Sequence, residues 1–351
     1  MKLDDIKIEP LLDTLQIEKI DDNVYFNSEV YKNRISNSRL GLLNPRQGGD
    51  PEKFFSGFKA GFNASFALGS AVHEQILQPH LFKLAEDTGK PTAKMGGMAD
   101  VLYDIYCQRE ITDDDIIKAS DKIDYYKGKM TPERIAEVRN KCASYWETRS
   151  KQELNIEELR EVRYLDYPML EKAKACIESI QNNKQAMDLL HPTGLIEDPI
   201  SECEQAILLD VKATMPSGQE VILHLKAKLD NYTIDKETNT IKVNDLKTHG
   251  QMLYTFKDAK VKYHYSREIA FYMYLLGLVA NKYYGMDNPK KQANYLVVST
   301  VPNFLSEVVP VTFSEIRYGF HELQKLLRYS AYLMCYKGYS FDGKPNKYEF
   351  R

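Results

Sequence analysis

Between Leu223 and Lys247 the chain alternates so regularly that a β-hairpin is the natural way to fold it. In "LHLKAKLD", Leu223, Leu225, Ala227 and Leu229 interleave with His224, Lys226, Lys228 and Asp230. Successive strand side chains point to opposite faces, so one face is apolar and the other charged. "DKETN" (235–239) is a turn signal, and "TIKVNDLKT" returns as a strand. Positions 230 and 245 are symmetric about that turn, which brings Asp230 opposite Asp245. Asp245 and Lys247 share a face because they are two apart. Opposed strand residues have Cβ atoms roughly 4.5–5.5 Å apart, and two carboxylates there repel unless a cation sits between them. Hard oxygen ligands on neighbouring strands suit Mg²⁺ or Mn²⁺. A lysine beside such an ion can orient or deprotonate a water, or stabilise an oxyanion, and these are the parts needed for phosphodiester hydrolysis. Taken alone, the D-x-K spacing reads as a solvated ion pair on a sheet edge. The opposed Asp230 brings the metal reading level with it.

The rest of the chain sets bounds. Its 351 residues are 43% hydrophobic and 28% charged, enough for an ordinary core in one large domain or two smaller ones. A net charge of −3 gives no support for a basic nucleic-acid arm, yet leaves room for a local basic groove. The five cysteines are odd in number and form no C-x-x-C, so reduced thiols in an intracellular protein are expected, not a zinc or iron–sulfur site. "MKLDDIKIEP" has no apolar run, and "IAFYMYLLGLVA" (269–280) is too short to span a bilayer. A soluble, cytoplasmic protein is expected.

Along the chain, residues 1–33 read as a loosely organised leader with some strand character. "SFALGSAVHEQIL" (65–77) reads as a helix with a broken apolar stripe of Phe66, Val72, Ile76 and Leu77. Residues 81–190 are mostly helical in pattern, with Thr112 opening a capping box and Thr131-Pro132 starting another helix. After residue 200, three strands form an antiparallel meander. A helix with Ser266 as N-cap, two further strands and a final amphipathic helix come next. With no linker between clean halves, one domain over 1–351 is expected, carrying a helical insertion at 81–167 and a core at 200–312.

Several separated stretches, in this order, resemble the PD-(D/E)XK nuclease superfamily, and in particular its RecB-like, exonuclease VIII-type branch. They are "ISNSRLGLLNPRQ" (35–47), "FALGSAVHEQIL" (66–77), "LEKAKACIESIQNNKQAMDLL" (170–190), "SECEQAILLDVKATMPSGQ", "KAKLD" with "NDLKT", and "YSREIAFYMYLL" (265–276). The resemblance covers residues 34–80 and 168–312; residues 81–167 match nothing in it. It implies an α/β restriction-endonuclease-like core, a mixed central sheet flanked by helices, with a helical N-terminal half. It also implies that His73, Asp230, Asp245 and the Leu246 carbonyl hold Mg²⁺ or Mn²⁺, that Lys247 is the catalytic lysine, and that Glu204 or Glu202 supports the site. Glu268 stands where the family carries glutamine, four residues before Tyr272. An ionised glutamate only accepts hydrogen bonds, so Glu268 either adds negative charge near the metal or pairs with a base such as Lys247.

The implied activity is 5′–3′ digestion of linear double-stranded DNA in recombination, in a bacterial or phage-infected cytoplasm. A single-strand-annealing partner and a homo-oligomer would accompany it, and no membrane. Lys257, Lys260 and Lys262 lie among aromatics after the catalytic strand, where cations can neutralise phosphates and rings can stack on bases; Ser38 and Arg39 either brace the site or meet a phosphate. The rival readings are a single-strand or helicase-associated nuclease of the same core, a non-catalytic DNA-binding protein on that fold, and an interaction protein with no metal.

Overall fold

The alternating hairpin becomes the middle of a six-stranded sheet. The computed structural model describes residues 2–56, 64–87, 89–91, 93–126, 128–154, 161–191 and 200–341. Its strands are β1 (Lys7–Lys19), β2 (Phe82–Glu86), β3 (Glu161–Leu165), β4 (Ile200–Thr214), β5 (Glu220–Asp235), β6 (Thr240–His249), β7 (Lys290–Ser299) and β8 (Ser306–Pro310). The large sheet runs β1-β4-β5-β6-β7-β8. Its neighbours are antiparallel except β6 and β7, which are parallel. The fold is mixed α/β, with helices flanking the sheet.

The chain divides into two compact units, residues 1–78 with 175–351, and residues 79–174. The second unit contains the parallel pair β2–β3 and three long helices, Ala93–Gln108, Asp113–Lys122 and Pro132–Leu154. Met98, Leu102, Ile116, Val138 and Trp146 form its own core. Thr112 and Asp115 cap each other reciprocally at the start of the middle helix.

The helices of the first unit include α1 (Ala64–Leu77), α2 (Phe256–Lys262), α3 (Tyr265–Tyr284) and α4 (Phe313–Tyr336). Parallel strands cannot be joined by a tight turn, and α2 and α3 supply the crossover from β6 to β7. Leu225, Leu229, Val243 and Tyr295 of the sheet pack with Phe271, Leu275 and Leu276 of α3 and Leu323 and Leu327 of α4. Each fully buried side chain of this kind contributes about 1.5–3 kcal/mol. Helices α3 and α4 meet so closely at Gly319 that an added Cβ would lie 1.9 Å from the Ser266 carbonyl oxygen.

Three expectations are corrected here. Residues 7–19 are not a loose leader but strand β1, paired along β4 from Lys7↔Thr214 to Lys19↔Gln205, with a register shift between Leu11 and Gln16. Helix α3 begins at Tyr265, capped by His264 in the left-handed region (φ 55°), so Ser266 lies inside the helix. Phe66 is exposed, whereas Val72, Ile76 and Leu77 are buried as the stripe predicts.

Candidate active site

The β5–β6 ladder pairs Asp235 with Thr240 and ends at Asn231↔Asn244. One step further would set Asp230 level with Asp245. There the backbone ladder gives way to a side chain: the Leu246 N–H donates to Asp230 Oδ2 at 2.7 Å. The strand pairing is thus replaced by a carboxylate at the point where the two acids meet.

Asp230 draws in ligands from two other elements. Nδ1 of His73 on α1 lies 3.6 Å from Asp230 Oδ2. His73, Glu204 and Asp230 each offer one ligand atom, and these three atoms lie within 4.8 Å of one another. Glu204 reaches the cluster because its backbone turns left-handed (φ 57°) where the β4–β5 ladder skips from Cys203↔Asn231 to Gln205↔Leu229. Lys228 Nζ steadies the Glu204 carboxylate at 2.6 Å, and also pairs with Asp22. Glu202 is exposed, so of the two candidate acids at the start of this strand only Glu204 joins. Helix α1 approaches β6 closely at Gly69, where a Cβ would sit 3.2 Å from the Thr248 hydroxyl.

Asp245 and Lys247 build the adjoining half. Lys247 Nζ lies 2.8 Å from Asp245 Oδ2 and 2.9 Å from Glu268 Oε2, and 4.9 Å from the Tyr265 ring centroid. Tyr272 donates its hydroxyl to Glu268 Oε1 at 3.2 Å. Residues 268 and 272 are one helical turn apart on α3, which puts both on the same face.

Burial pushes Asp230 up to about 7, against the pull of Lys247 and the Leu246 N–H. Burial likewise raises Asp245 well above the usual carboxylate range, with Glu268 and Asp230 adding to the rise. Burial, then the Lys247 charge, takes His73 down to about 4, which leaves its imidazole neutral and able to ligate. For Lys247 burial works against the charge, but Asp245, Glu268 and Asp230 outweigh it and hold the ammonium protonated. A divalent cation fits this surplus of acid. Among the described residues, Asp245 Oδ2 is buried with no well-aligned hydrogen-bond donor, although the Lys247 ammonium is close. One imidazole nitrogen with carboxylate oxygens is a donor set for Mn²⁺ or Mg²⁺.

A row of amides beside the site, two buried and one half-buried, is announced by no spacing in the sequence. Asn294 donates to Asn244 Oδ1 at 2.9 Å, and Asn244 donates to Asn231 Oδ1 at 2.7 Å. The row crosses β5, β6 and β7 and fixes their register one residue from Asp230 and Asp245.

Of the two alternatives for Arg39, the hydrogen bonds it makes fit the bracing one. The Arg39 guanidinium donates to the carbonyls of Lys32, Phe54 and Phe55 at 2.7, 2.7 and 3.0 Å and so ties these segments together. Lys260 is tied to Glu315 at 2.7 Å. Ser38, Lys257 and Lys262 are exposed.

No family model and no curated protein matches the sequence. Among solved structures, a candidate exonuclease of Eubacterium rectale is similar over 89% of this chain and 87% of its own, at 10% identity and a TM-score of 0.43. At that similarity it identifies neither a site nor a substrate. Among the described residues, no helix is long and apolar enough to cross a membrane.

Proposed function

We propose that this chain is a divalent-metal-dependent nuclease with a PD-(D/E)XK-type site. The observation that carries the reading is the convergence of His73, Glu204 and Asp230 beside an Asp245–Lys247–Glu268 ion-pair chain. His73, Glu204, Asp230 and Asp245 would hold the metal, with the Leu246 carbonyl beside them. A Mg²⁺ or Mn²⁺ ion bound there supplies a polarised phosphoryl oxygen and a water that ionises more readily. Lys247, kept protonated by its two carboxylates, orients that water and offsets the negative charge that grows in the transition state. It is not the proton acceptor, because an ammonium held this way has no lone pair to offer. Glu268 holds the ammonium in position, and the Tyr272 hydroxyl holds Glu268.

The substrate we assign is linear double-stranded DNA, attacked from the 5′ end during recombination, as the resemblance implies. A single-strand-annealing partner and a ring-like oligomer belong to the same proposal. The test is digestion of an end-labelled linear duplex in Mg²⁺, run beside single-stranded DNA and a closed circle, with Asp245→Ala as control. Label should leave the linear duplex and not the circle, and the control should be inert. Preference for single strands would move the assignment to a single-strand or helicase-associated nuclease. Activity unchanged in Asp245→Ala would exclude this site.

A further inference from the structure

An aromatic path leads from the candidate catalytic lysine to the surface. The Lys247 ammonium lies 4.9 Å from the Tyr265 ring centroid. The Tyr265 and Tyr263 rings are 5.7 Å apart at 31°. Lys262 Nζ sits 5.1 Å from the Tyr263 ring. Tyr265 is half-buried, whereas Tyr263 is 49% exposed.

The backbone makes this pairing possible. Residues two apart do not face each other on a helix. Tyr263 and Tyr265 do so here because His264 between them is left-handed, at φ 55°. Few non-glycine residues adopt that conformation, although histidine does so more readily than most. His264 is buried and held there: its Nδ1 lies 2.7 Å from Glu322 Oε1, and the Asn44 amide is 3.3 Å from its Nε2. A buried residue in a sparsely populated conformation, pinned from two other segments, exists to aim its neighbours.

We propose that Tyr263, backed by Tyr265 and flanked by Lys262, is a stacking platform for an unpaired base of single-stranded DNA at the mouth of the site. This rests on the nuclease reading above and specifies how the substrate strand is seated. The two steps from Lys247 set an upper limit of about three base-stacking intervals of 3.4 Å, so the platform would hold a nucleotide close to the one being cut. A duplex interior cannot use it, because both faces of its bases are already stacked. A frayed end or a single strand can. Lys262, with exposed Lys257 one helical turn and more before it, supplies positive charge for the backbone of the same strand.

The test is fluorescence anisotropy on the full chain in EDTA, with labelled oligodeoxythymidine and a labelled blunt duplex as separate probes. Tyr263→Ala should weaken oligodeoxythymidine binding about 5–150-fold, the range for loss of one base–aromatic stack. Tyr263→Phe should stay within about twofold of wild type, since the ring does the stacking. Blunt-duplex binding should be the same in all three. Tyr263→Trp gives an independent readout: its emission should be quenched by oligodeoxythymidine, against a background from Trp146, which is buried. Oligodeoxythymidine binding that is absent in wild type, unchanged in Tyr263→Ala, or equally reduced in Tyr263→Phe would overturn the platform, as would an equal loss on blunt duplex. The readout needs neither metal nor cleavage. A wild-type chain that never cuts DNA, but whose Tyr263→Ala variant loses oligonucleotide, would sink the nuclease reading and leave the platform standing.

Discussion

Glu268 Oε2 lies 2.9 Å from Lys247 Nζ, so the ammonium is shared between Glu268 and Asp245. An ordinary surface pair contributes little. This one is largely buried, and removal of one partner leaves charges with no counterion. Lys247→Met should therefore cost about 3–5 kcal/mol. The loss should be larger at pH 8 than at pH 5.5, because Asp245, whose carboxyl burial raises well above the usual range, then takes a proton less readily. Lys247→Met with Glu268→Gln should recover part of it. Urea melts of the single and double variants check this, and equal costs at the two pH values would rule out the pairing.

Asp230 predicts how the metal-free protein responds to pH. Its folded-state pKa is raised to about 7 from 3.8. A carboxylate raised on folding binds more protons in the native state, so stability falls as pH climbs from 4 to 7. The swing is on the order of a few kcal/mol. Thermal melts in EDTA should show wild type losing stability over that window, and Asp230→Asn should flatten the curve.

Mn²⁺ should raise the melting temperature of wild type, with stabilisation of about 2.7 kcal/mol at a hundred times the dissociation constant. Glu204→Gln and His73→Ala should each weaken binding about 10–100-fold, similar to the loss of a supporting group at a metal site. Calorimetric titration gives the affinities. If Glu204→Gln binds as wild type does, the left-handed kink in β4 serves some other purpose.

Asn244→Ala removes the middle of the amide row, strands the buried Asn231 Oδ1 and takes the acceptor from the half-buried Asn294 amide. Each buried polar group left without a partner costs about 1–3 kcal/mol. Chemical denaturation should show that loss, and nuclease activity should fall with it because the register of β5 on β6 is no longer fixed.

Gly319→Ala should be among the most damaging single changes in α4. The added methyl meets the Ser266 carbonyl carbon and oxygen at 2.3 and 1.9 Å, and backbone cannot step aside as a flexible side chain can. Ser266 lies two residues before Glu268, so activity should drop beyond what the melting temperature alone explains.

The hairpin and its acids were legible because strand alternation and a polar turn fix which residues meet. The β5–β6 ladder extended by one step is the register that the symmetry about 237–238 implies. Strand β1 was legible only as some strand character in residues 1–33, without bounds or partner. It is an edge strand that buries little, contains Pro10, and shifts register between Leu11 and Gln16, all of which break the alternation. Glu204 enters the cluster through a backbone kink that no spacing announces. The asparagine row hid for a different reason. Asn231, Asn244 and Asn294 look like turn residues one at a time, and only the three-strand juxtaposition gives their amides partners. For Arg39 the charge alone left bracing and a phosphate contact equally open, and only the folded chain shows the three backbone carbonyls it meets.

Strand β1 has a consequence for the newborn chain. Its partner, β4, begins only at Ile200, and the acid that anchors Lys247 arrives later still, on a helix that opens at Tyr265. A ribosome has most of the polypeptide behind it before any of these pieces can join. Until then the half-made molecule lacks the Asp245–Lys247–Glu268 chain of ion pairs, so the proposed site is among the last parts of the fold to be assembled during translation.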